Sequence, residues 1–148
     1  MRSAQIVAGR RWVLVLEPGE ELVGTVSAWA ERIGVRAATV EFFGAFRSAR
    51  LIAATEPVAD PEPPLPQQVE VTYLEGVGSG SIGLADGRPS VHLHIAAGVK
   101  EQGGAAYSGH LLAAEVHYTV EVVVQEAVGP DFVLRPLPGF GINALHFS

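Results

Sequence analysis

Cysteine is absent from this 148-residue chain. That excludes disulfides, thiolate nucleophiles and zinc–thiolate sites, so any transition metal must be held by imidazole and carboxylate. Lysine is almost absent too: Lys100 stands alone beside nine arginines, and the net charge is −6. An acidic chain repels a phosphate backbone unless its arginines cluster. Here Arg10 and Arg11 adjoin and the rest are scattered, so direct nucleic-acid binding is not expected. Long apolar runs are missing, which argues against a membrane span. The opening "MRSAQIVAGRRW" has no apolar signal core, and a cytoplasmic protein is the expectation. At 48% hydrophobic and 18% charged residues the chain is too apolar for disorder, and its length suits one domain with its own core.

What is present reads as strands around one helix. "WVLVL", Trp12–Leu16, is a strand closed by Pro18 and Gly19. Leu22, Val26, Trp29, Ala30 and Ile33 then fall on one helical face, with Glu20 and Glu21 at its positive end and Gly34 as its C-cap. "RAATVEFFGAF" and "SARLIAA" read as two strands bent at Gly44. The segment 55–67 carries five prolines and reads as an exposed loop or arm. "VEVTYLEG" and "GSGSIGLA" read as two further strands, Asp86-Gly87 as a hairpin turn, and "PSVHLHIAA" as the next strand. The stretch Ala96 to Ser108 reads as a loop. In "AAEVHYTVEVVVQ" the residues Ala114, Val116, Tyr118, Val120, Val122 and Val124 take one face, Glu115, His117, Thr119 and Glu121 the other. The C-terminal "DFVLRPLPGFGINALHF" adds at most a last short strand. The predicted fold class is α+β: a mainly antiparallel β-sheet system with one principal amphipathic helix, in a single domain. Residues 1–9 form an N-terminal extension and 10–148 the domain.

The order of landmarks carries a family resemblance. "WVLVLEPGEEL" precedes a helix; an extended segment ends in "FGA"; then come "VEVTYLEG", "DGRPSVHLHIA", "SGHLL" and "TVEVVV". In this order the chain resembles the plants-and-prokaryotes conserved (PPC) domain over roughly residues 10–147. The resemblance implies a compact α+β subunit assembled as a homotrimer. It also implies a fold similar to that of acetolactate decarboxylase, whose metal site is an HxH pair plus a third histidine.

Residues i and i+2 of a strand share a face, so His92 and His94 stand side by side while Val91, Leu93 and Ile95 face a core. His110 in "SGHLL" is the third candidate ligand if it folds back from a neighbouring strand. Three neutral imidazoles leave an open coordination position, and zinc is the metal such a set suits best. Glu41, Glu115 and Glu121 are the carboxylates available as general acid or base, with solvent-facing positions the plainer reading of the last two. His117 reads as exposed or ion-paired, and His146 carries no readable signal. Arg88 is explained by the hairpin turn. Gly76, Gly78 and Gly80 form a GxGxG that no helix follows, which fails the requirement for a phosphate loop.

Three functions compete. The first is a trimeric, regulatory PPC-type module with a divalent-metal or small-molecule site. The second is a metal-dependent lyase or hydrolase acting on a small carbonyl or carboxylate compound, its catalytic residues unknown. The third is a DNA-binding protein. A deep cleft over the histidines holding an arginine and a carboxylate would favour the enzyme.

Overall fold

The computed structural model describes residues 1–52, 68–137 and 142–148; the proline-rich segment 55–67 lies outside the described residues. The elements are β1 (Val7–Leu16), α1 (Leu22–Ile33), β2 (Ala38–Ile52), β3 (Gln68–Ala85), β4 (Arg88–Val99), β5 (Ala106–Val128), β6 (Phe132–Leu137) and β7 (Ile142–Phe147), with a 3-10 turn at Lys100–Gln102. The α+β class holds: antiparallel strands dominate and α1 is the α-helix among the described residues. β1 begins at Val7, so the first strand takes in part of the expected extension 1–9.

β5 pairs with β1, β2 and β4, while β2 pairs with β3 and β3 with β4. The ring β2–β3–β4–β5 is therefore closed, and the sheet curls into a small barrel. Its interior holds Phe46, Leu51, Ile82, Leu93, Ile95, Val116, Val120 and Val122, all buried. β6 and β7 form a C-terminal hairpin attached to β3 by a parallel bridge at Leu84 and Val133, with Phe132 in a small separate cluster.

α1 packs on β4 and β5 through Leu22, Val26, Trp29 and Ala30, and Trp29 meets the edge of Trp12 at a centroid separation of 5.2 Å. Ile33 does not share that face fully; at 37% exposed it sits in the last turn, where Gly34 ends the helix in the left-handed conformation. Glu21 caps the other end. Its carboxylate accepts from the backbone N–H of Val23 (3.0 Å) and Gly24 (2.6 Å), and also from that of Ala114 on β5 (3.1 Å). One side chain thus satisfies two orphan helix donors and ties the helix to the sheet.

Three sequence expectations change. β2 and β3 are each one continuous strand rather than two, because the glycines that read as breaks serve close approach instead. A Cβ at Gly78 would run into the Phe42 ring and the His94 carbonyl oxygen, and one at Gly80 into the His92 carbonyl oxygen. Bare Cα positions on β3 let β4 lie tightly over them as the barrel closes. The expected loop Ala96–Ser108 shrinks, since β4 runs to Val99 and β5 starts at Ala106. The C-terminal tail forms two strands, not one. The Asp86-Gly87 turn is as expected: both residues have positive φ (50° and 79°), as a two-residue hairpin turn of type I′ requires, and Ala85 pairs with Arg88.

Replacing Glu21 by alanine leaves three backbone donors without this acceptor and should lower stability by roughly 1–2 kcal/mol, the range for a lost N-cap. Glu21→Gln, which keeps an acceptor, should lose less. Urea unfolding of both variants checks the order.

Candidate metal centre

His92 and His94 project from the outer face of β4, and Leu93 and Ile95 point inward to the core, as strand alternation demands. His110 lies on β5, not in a turn, and pairs directly with His94 across the β4–β5 seam. Strict alternation from Ala114 and Val116 would place position 110 inside the barrel. A register shift prevents this: Arg50 pairs with Ala113 but Leu51 with Leu111, so Leu112 is an extra residue. That bulge reverses the facing of the strand, buries Leu111 together with Ala114, and brings His110 out beside the other two imidazoles.

The ring centroids are 5.2 Å apart for His92–His94, 4.9 Å for His92–His110 and 5.4 Å for His94–His110. One nitrogen from each lies within 4.8 Å of the others. Tetrahedral bonds of about 2.0–2.1 Å would set ligand nitrogens roughly 3.3 Å apart, so modest turns of the rings suffice. This three-histidine group could hold a metal ion. His92 and His110 are half-buried and His94 is exposed, which leaves one side open. Burial lowers the His92 pKa below the ordinary histidine range, and the neighbouring His94 lowers it further. Burial likewise lowers His110, followed by His92 and His94. Both effects favour the neutral, metal-binding form.

The rows of the sheet define what surrounds the group. Val13, Val123, Glu41, Ser79, His94 and His110 form one row; Val15, Glu121, Phe43, Val77, Ala96 and Ser108 form the next. An open groove of about 640 Å³ runs beside His94, with Glu41 and Glu121 among its lining residues. Glu115 does not join them; it pairs with Arg47 at 3.4 Å. His117 is neither ion-paired among the described residues nor exposed: it is half-buried against Tyr73 and Tyr118. His146 sits on β7 opposite Val133, away from the cluster. Arg88 forms a two-pronged pair with Glu31 of α1 (3.1 and 3.0 Å), which fixes its guanidinium against the helix. Ser79 and Ser108 escaped sequence reasoning; only strand pairing reveals that they flank His94 and Ala96.

Residues 4–128 match the family model of the Plants and Prokaryotes Conserved (PCC) domain. Among solved structures, a metal-containing protein from Archaeoglobus fulgidus is 26% identical, with a TM-score of 0.84 over 99% of both chains. A plant- and prokaryote-conserved protein from Pyrococcus horikoshii is 23% identical, with a TM-score of 0.82 over 100% of this chain and 99% of that one. Acetolactate decarboxylase from Bacillus subtilis is 12% identical with a TM-score of 0.57, covering 82% of this chain and 54% of that one, a likeness of fold alone. No curated protein matches the chain. No described helix is long and apolar enough to cross a membrane.

Because the folded pKa values of His92 and His110 lie below the unfolded value of about 6.5, the unfolded chain takes up protons first as pH falls. Their contribution to the metal-free protein's stability is complete above pH 6.5 and is lost as pH falls below it toward the depressed folded values. NMR titration should find both imidazoles titrating below 6.5, with the thermal midpoint dropping over the same interval. Titration of both at or above 6.5 would contradict the packing described.

Proposed function

From the premise that this chain belongs to the Plants and Prokaryotes Conserved domain family, we propose that it is a homotrimeric, non-catalytic module whose three-histidine site holds one divalent ion, zinc. The observation that carries this reading is the convergence of His92, His94 and His110 on the outer face of the β4–β5 seam. A bound ion would have an open coordination position, able to polarise a carbonyl or acidify a water. The lining described for the groove beside His94 includes Glu41 and Glu121 but no arginine, which an enzyme acting on a small carboxylate compound would need to orient its substrate. That favours a regulatory ion over a catalytic one. The similar metal-containing protein from Archaeoglobus fulgidus supports an ion without identifying it.

Self-association is supported by the face that surrounds the histidines. Val13, Val15, Phe43 and Val77 are 64%, 58%, 52% and 61% exposed and lie in adjacent rows of one sheet face, an apolar surface of the kind that copies of a chain cover. The number three rests on the family resemblance. Nucleic acid is not the partner in this reading, since the net charge is −6 and four of the nine arginines, Arg10, Arg36, Arg47 and Arg88, are already matched with carboxylates.

Metal analysis of the purified protein should find about one zinc per chain. His94→Ala should remove most of it while the far-ultraviolet circular dichroism stays unchanged, because the core of β4 lies on the opposite face. Failure of the intact protein to take up zinc even when the ion is supplied would end the reading. Light scattering should give three times the chain mass at micromolar concentration, and Phe43→Glu should shift the protein toward monomer; a stable monomer of the unaltered chain would refute the assembly.

A further inference from the structure

A second concavity lies on the same side of the sheet, beyond the histidine group. Its β4 residue Gly98 is four positions past His94, about 13 Å along a strand. The cavity measures about 410 Å³, within the range of small-molecule sites. Phe46 and Leu74 contribute buried apolar surface, Tyr73, Tyr118 and His117 aromatic walls, and Glu75 and Lys100 one charge of each sign. It opens where β5 departs from β2: Gly44 pairs with Val120 but Phe46 with Val116, so residues 117–119 bulge opposite Ala45.

Two independent features set this cavity apart from an accidental hollow. Tyr73 sits in the left-handed region at φ 52°, within a strand and without the freedom of glycine. Such backbone is costly, persists only where surrounding structure enforces it, and gathers at binding sites. The Nδ1 of His117 is buried and has no hydrogen-bond partner among the described residues. Its ring stands 5.6 Å from Tyr73 and 4.1 Å from Tyr118, so the imidazole is part of the aromatic wall. A polar ligand group reached by a small turn of that ring would satisfy the nitrogen.

We propose that this cavity binds a small aromatic zwitterion of the amino-acid class. The planar ring lies against Tyr73 and Tyr118 over the apolar floor, the carboxylate faces Lys100, and the ammonium faces Glu75. The two charges decide the class. Neither Lys100 nor Glu75 has an ion-pair partner among the described residues, so a ligand carrying both complementary charges leaves neither unmatched. None of the residues described around this cavity is His92, His94 or His110.

Isothermal titration of the protein with L-phenylalanine tests the proposal, with 3-phenylpropionate and phenethylamine each lacking one charge. Saturable binding of phenylalanine, at least tenfold tighter than either analogue, is expected. Lys100→Ala and Glu75→Ala should each weaken it about tenfold, whereas His92→Ala/His94→Ala should leave it unchanged. Tyr73→Gly guards against misfolding as an explanation. It should abolish binding without lowering the thermal midpoint, since glycine relieves the left-handed backbone. No saturation by 10 mM phenylalanine, a tighter fit for either analogue, or full binding by Tyr73→Gly would overturn the proposal.

Discussion

One strand is asked to serve three neighbours. β5 offers its C-terminal half to β1 and its N-terminal residues to β4, and lies along β2 for most of its length. An unbroken strand of 23 residues with strict alternation could not do this, because barrel curvature would turn its side chains off the core. The irregularities absorb the mismatch. The extra residue Leu112 reverses the facing at one point, and the wide bulge at residues 117–119 lifts the strand away from β2 at another. Each leaves a chemical feature behind: the first exposes His110, the second opens the cavity walled by Tyr73, His117 and Tyr118.

Closure has a matching requirement on the other side of the ring. β4 can lie close over β3 only because Gly78 and Gly80 put no side chain beneath the carbonyls of His94 and His92. The glycines that fail as a phosphate loop therefore still govern the histidines, by setting the height of the backbone from which they project. A side chain there would push β4 outward and move two imidazoles together, away from the third.

Local patterning made much of this fold legible. Alternation in "VEVVV" gave the inward valines Val120, Val122 and Val124, the Asp86-Gly87 pair gave its hairpin, and Gly34 gave the helix end. The spacing of His92 and His94 gave a shared face without further information. Two kinds of feature were illegible. Glycine looks the same in sequence whether it breaks a strand or permits a neighbour to approach, so β2 and β3 each read as two pieces. Bulges depend on long-range pairing, so alternation carried Tyr118 into the core, whereas it is 63% exposed. The same blindness kept the left-handed Tyr73 and the buried Nδ1 of His117 out of reach.

The pairings of this barrel differ greatly in how much chain separates them. β1 meets its strand partner β5 only once residues 120–128 exist, and β2 waits as long for β5 although it meets β3 sooner, whereas β3–β4 and β4–β5 join across a two-residue turn and a short loop. Closing short loops costs the least chain entropy, so the local hairpins have the head start. All three imidazoles ride on one of them. Chain entropy therefore favours bringing the three nitrogen donors together on a hairpin ahead of the pairing of β1 with β5.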